Sequence, residues 1–224
     1  MSKTKTIILD SPEDPFKEER KSMTYGPGEI PCITQIQPGM SITSLELPAE
    51  MDLFLWKNFV HSLYLANGVV IIRSAGQQTW EKDKYMAVQD LWAEVCEIVD
   101  ARPMFIINVA TGDVRSIPVC LAALSTISLA TPEATFGFPD ARVGGMPAVP
   151  TTMMRKRCTD PSIRKMVMTT TPIDAYEAQR MGLVDFVGDV EAEVARLIYR
   201  NCQPKTVYYM WKKDVEKKEA EKGA

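Results

Sequence analysis

Histidine occurs once in these 224 residues, at His61, and the five cysteines (Cys32, Cys96, Cys120, Cys158, Cys202) form no C-x-x-C pair. That leaves no Cys/His zinc site to build. Scattered cysteines in odd number suit a reducing compartment, cytoplasm or organelle matrix, where they serve as small hydrophobes. Long apolar runs are missing as well. Val69 to Ile72 is typical of those present, against the roughly 20 residues that span a bilayer. Met1 to Asp10 lacks the apolar core of a secretory signal. Nor is there a large excess of one charge. A net charge of -3 gives no electrostatic reason to expect nucleic acid or an anionic membrane as partner. What is present is globular: 46% hydrophobic and 25% charged residues, with 12 Gly and 15 Pro, exclude wholesale disorder, collagen and coiled coil. A mass of 25.1 kDa suffices for one domain with a sizeable core.

Along the chain, residues 1–29 read as a polar N-terminal arm, with one short strand over Thr6 to Leu9 and a charged stretch from Ser11 to Lys21. The domain proper is expected over 30–200. Ile33 to Gln37 and Met40 to Leu47 flank Pro38-Gly39, a turn pair that predicts a hairpin. Leu53, Trp56, Val60, Leu63 and Tyr64 mark a helix within Ala49 to Ala66, stopped at Asn67-Gly68. A buried strand follows at Val69 to Ile72, a helix from about Thr79 to Asp100, and a strand from Met104 to Val109. Helix, strand, helix, strand in this order implies α/β architecture with crossover connections. Ser116 to Leu124 reads as a helix with Ser116 as N-cap and Pro118 in its first turn. Ile127 to Ala130 makes a further strand, and helices are expected over Ile173 to Met181 and Val190 to Arg200. Residues 201–224 form a charged tail whose Lys and Glu spacings suit a solvated helix.

Two phrases carry more. Residues 111–147 read TGDVRSIPVCLAALSTISLATPEATFGFPDARVGGMP, and Thr169 to Val187 read TTTPIDAYEAQRMGLVDFV. The first resembles, without a gap, the central segment of the crotonase (enoyl-CoA hydratase/isomerase) superfamily, and the second resembles that family's later "isA.eA...GLV" phrase. Together with the hairpin and Leu47-Pro48, the likeness covers roughly Cys32 to Tyr209. It implies a crotonase-like α/β fold of repeated β-β-α units with a short helical C-terminal region. It also implies an acyl thioester as substrate, with no separate cofactor, and a trimer or another assembly with protein subunits as partners. The family runs on for several more helical turns where eleven residues follow Lys213 here, so the lid and trimer contacts of the family are not expected in their usual form.

The resemblance further implies where chemistry would sit. The family stabilises an enolate oxyanion with two backbone N–H groups, one at a helix N-terminus. Its Gly-rich loop falls on Ser116-Ile117-Pro118, so Ile117 would be the backbone donor. A branched side chain there narrows the approach that glycine leaves open, and Pro118 has no N–H. The first hydratase carboxylate falls on Cys120, expected as core packing. The second falls on Asp140, the candidate acid/base, in a place where Asp after Pro139 is also an ordinary turn residue. The other oxyanion loop is replaced by Ser74 to Trp80, and a glycine-rich run by Ala148 to Thr152. His61 reads as a half-exposed surface residue; Lys82, Lys84 and Tyr85 could act on a carrier-protein thioester. Two functions follow as expectations: a catalytically inactive member kept as a structural or interaction subunit, or an acyl-CoA or acyl-carrier-protein isomerase or decarboxylase.

Overall fold

The structure, a computed structural model, describes residues 5–8, 32–37, 40–48, 51–74, 82–102, 104–143 and 148–201. The charged tail and the Ser11 to Lys21 stretch lie outside the described residues. Strand β1 (Lys5–Ile8) runs parallel to β2 (Cys32–Gln37), which forms the expected antiparallel hairpin with β3 (Met40–Leu47). Residues 5–8 of the arm thus add an edge strand to the main sheet.

From β3 the chain enters helix α1 (Leu53–Leu65). It starts with the first residue of the apolar stripe rather than at Ala49, because the Asp52 carboxylate caps it by accepting the Leu55 N–H at 2.8 Å. Strand β4 (Gly68–Ser74), helix α2 (Lys82–Ala101) and strand β5 (Met104–Ala110) complete two crossover units, with β3, β4 and β5 parallel. Their alternating side chains bury both faces, as parallel sheets require. Leu45, Val70, Ile72, Met104 and Ile106 face α1 and α2, whereas Ile42, Val69, Ile71, Ile107 and Val109 face the other way.

Two short strands that carry no readable period, β6 (Asp113–Arg115) and β8 (Thr135–Gly137), pair in parallel around helix α3 (Pro118–Leu124) and strand β7 (Ile127–Ala130). The chain continues through a one-turn 3-10 helix (Pro139–Val143), α4 (Ala148–Met154) and α5 (Asp160–Thr169). Strand β9 (Ile173–Asp174) closes the small β6-β8-β9 sheet. Helix α6 (Ala175–Arg180) is therefore shorter than its sequence pattern suggests, with Asp174 as its N-cap. Finally, β10 (Phe186–Val187) joins the seven-stranded sheet β1-β2-β3-β4-β5-β7-β10, and α7 (Val190–Asn201) covers its second face through Val190, Val194 and Leu197.

One cation holds the C-terminal third to this sheet. The Arg157 guanidinium donates to the carbonyls of Ala122 at 3.2 Å, Leu183 at 3.0 Å and Thr126 at 3.3 Å, and to the Asp185 carboxylate at 2.8 Å. Arg157→Met keeps the side-chain stem and abandons all four acceptors. It should lower unfolding free energy by about 2–4 kcal/mol, read from urea denaturation, while Arg155→Met, an exposed neighbour, should change it by less than about 0.5 kcal/mol.

Candidate active site

The site implied by the sequence begins where β6 runs into α3. Ser116 has φ +62°, in the left-handed region, and Ile117 rather than Ser116 occupies the N-cap, with no side-chain capping bond. This corrects the expected Ser116 cap. The cause is local: Ser116 N–H donates to the Gly137 carbonyl at 2.9 Å and the Ser116 carbonyl accepts from Val119 N–H at 3.1 Å. Both bonds together turn the backbone through the glycine-favoured region although no glycine is there. Ile117 N–H has no hydrogen-bond partner among the described residues. Its side chain is 2% exposed and packs in the cluster that holds Trp56, Trp92, Cys120 and Leu121.

Cys120 is fully buried on the first turn of α3. Burial pushes its thiol well above the ordinary value, and the nearby Cys96 thiol adds to the shift. Cys96, half-buried and pushed up to about 11 by desolvation, donates towards the Met153 sulfur at 3.5 Å. A neutral thiol in this setting is packing, as the sequence predicts, and takes no proton at physiological pH.

Asp140 lies in the 3-10 turn after β8. Because β6 and β8 pair in parallel through Arg115 and Gly137, this turn leaves the same end of the small sheet as Ser116 and Ile117. The Asp140 side chain lies outside the described residues, as do those of Lys82, Lys84 and Tyr85 at the start of α2 and all of residues 75–81. His61 is exposed on α1, away from the apolar cluster. A Cβ at Gly137 would meet the Arg115 Nη1 at 2.7 Å, so a side chain there would push the end of that arginine aside. That guanidinium is ion-paired with Asp113, which in turn accepts from the Thr135 hydroxyl.

A buried polar rung was not foreseen. Ser74 Oγ donates to Asn108 Oδ1 at 3.4 Å, and Asn108 Nδ2 donates to Ser128 Oγ at 3.2 Å, across β4, β5 and β7. A lone Asn in the apolar run Met104 to Ala110 is the signal that could have found it. Among the described residues no group of His, Cys, Asp or Glu could hold a metal, and no helix is long and apolar enough to cross a membrane.

The profile of the enoyl-CoA hydratase/isomerase family matches residues 67–223. Solved structures share the fold at low identity. An enoyl-CoA hydratase from Shewanella pealeana superposes with a TM-score of 0.67 at 14% identity, covering 80% of this chain and 77% of that one. An enoyl-CoA hydratase/carnithine racemase from Magnetospirillum magneticum gives 0.67 at 18%, covering 81% and 78%. An enoyl-CoA hydratase from Mycobacterium smegmatis gives 0.63 at 17%, covering 76% and 77%. No curated protein sequence matches the chain.

Two measurements check this geometry. Ser116→Gly should be at least about 1 kcal/mol more stable than Ser116→Val, since a β-branched residue resists positive φ; thermal melts of both variants decide it. In the folded protein at pH 8, peptide-resolved alkylation should leave Cys96, Cys120 and Cys158 unmodified until denaturant is added. The folded thiols of Cys96 and Cys158 lose their protons near 11 rather than 9.0. Their contribution to stability is thus intact below pH 9 and is lost as pH rises from 9 to 11.

Proposed function

Since the chain belongs to the enoyl-CoA hydratase/isomerase family, we propose that it is a member without hydratase turnover, kept as a structural or interaction subunit of a larger assembly. The observation that carries this reading is the state of α3's first turn. Cys120, where the resemblance puts the family's first carboxylate, is fully buried and neutral in one apolar cluster with a nearly inaccessible Ile117. Hydration needs one group to activate water and another to move the proton. On this turn neither role has an ionisable group within its working range.

A second reading rests on a different observation. The left-handed Ser116 and the unpartnered Ile117 N–H are compatible with a surviving oxyanion donor, with Asp140 as acid/base. An isomerase or decarboxylase acting on an acyl-CoA or acyl-carrier-protein thioester needs no second carboxylate. The transition-state enolate would then draw its stabilisation from that N–H, worth on the order of 3 kcal/mol if correctly aimed.

Calorimetric titration with acetoacetyl-CoA, an enolate-like ligand, together with turnover assays on short- to long-chain enoyl thioesters, separates the two. The first reading expects no heat at millimolar ligand, no turnover, and an unchanged melting temperature for Asp140→Ala. Micromolar binding, about -8 kcal/mol, with turnover abolished by Asp140→Asn in a folded protein, would replace it by the second.

A further inference from the structure

Helices α1 and α2 lie side by side on one face of the main sheet and run in the same direction, because each returns the chain between parallel strands. Their inward faces are locked together: the Trp56 and Trp92 rings meet edge to face with centroids 5.9 Å apart. The outward faces differ sharply in chemistry. On α1, Phe54 (60% exposed), Tyr64 (59%) and Leu65 (54%) share the surface with exposed Lys57 and His61, and the helix contains no acidic residue. Three of the five exposed large hydrophobics among the described residues stand on this one helix. On α2, Asp90, Glu94 and Glu97 are exposed at helical spacing and form a purely acidic ridge. Neither these carboxylates nor Lys57 have an ion-pair partner among the described residues.

One end of the apolar stripe is held ready for contact. Arg102, just after α2, stacks over the Tyr64 ring at 5.4 Å, donates to the Tyr64 carbonyl, and donates to Asn67 Oδ1 at 2.9 Å. A flat aromatic fixed in this way loses little further freedom when something packs on it.

We propose that this two-helix layer is the contact surface between two copies of the chain, α1 of each lying across α2 of the other. A two-fold axis lying in the contact plane and parallel to the helices generates that crossed arrangement twice, since an isologous interface is self-complementary. Charge selects it over its alternatives. Stacking α1 on α1 opposes Lys57 to its own copy, and stacking α2 on α2 opposes one acidic ridge to another; only the crossed pairing sets Lys57 against Asp90, Glu94 and Glu97. It also covers Phe54, Tyr64 and Leu65. The helices, about 20 and 30 Å long at 1.5 Å per residue, offer a contact suited to modest affinity. The proposal stands apart from the fate of the thioester site, since it uses none of its residues.

The test is sedimentation velocity of the full chain at micromolar concentration in low salt. Lys57→Glu alone, and Glu94→Lys/Glu97→Lys alone, should each weaken pairing by roughly tenfold or more, with unchanged circular dichroism because all three positions are exposed. Mixed in equal amounts, the two variants should pair again, since both crossed contacts are then of opposite sign. An association state identical in wild type and both variants overturns the proposal, whatever other assembly the chain makes. So does loss of pairing in each variant without recovery in the mixture, which would show that Lys57 and the acidic ridge do not face each other across the contact.

Discussion

The Arg157 guanidinium is the interaction on which the arrangement of the C-terminal half depends. Its four acceptors come from the end of α3, the start of β7 and the segment between α6 and β10. Asp185, its ionic partner, also accepts from Ser128 N–H at 2.7 Å and donates its own N–H to the Ser128 carbonyl at 2.7 Å. A single side chain thereby caps a helix, fixes a strand register and anchors a turn. Backbone carbonyls at a helix C-terminus are otherwise left for water, and here the guanidinium takes that place. Gly182 completes the joint: its φ of +83° and the 2.8 Å approach of a Cβ to the Arg157 carbonyl admit no side chain. The two phrases that resemble the family are thus tied physically, because residues of both converge on this one cation.

From that joint the position of α3 follows, and from α3 the site. With its C-terminal end held by Arg157 and its Val119, Ala122 and Ala123 packed into the second core, the helix has its axis set before its first turn is considered. The first turn must then meet β6, whose register with β8 delivers Ser116 N–H to Gly137. The left-handed backbone at Ser116 is the geometric consequence. It costs on the order of 1 kcal/mol, and glycine would remove that cost.

How much of this could be read beforehand varies with the length of the signal. Strands β3, β4 and β5 and helices α1, α2 and α7 carry periods long enough to stand out, and they are found within a few residues of where the pattern places them. Strands β6 and β8 are three residues long, too short for alternation to register, and exist because tertiary pairing selects them. Helices α4 and α5 went unread since Pro150 and Pro161 interrupt their apolar spacing, although Pro161 sits harmlessly in the first turn of α5. At the site, Cys120 was legible as core because an apolar helix surrounds it. Ser116 is not the cap its residue type suggests, for a clear reason: a cap needs an extended backbone, and the neighbouring strand imposes a left-handed one.

The left-handed backbone at Ser116 bears on why the site looks as it does. A left-handed residue and a free N–H at a helix entrance are usually taken as signs of a functional constraint. Here the same geometry is demanded by two hydrogen bonds and a strand register that the fold needs whether or not a ligand binds. Strain at Ser116 is therefore weak evidence for catalysis in this chain. The composition of the cluster around Ile117 weighs more: a neutral thiol, a branched aliphatic and two indoles offer no base for activating water among the described residues. Packing and pairing alone account for the backbone at Ser116 and Ile117.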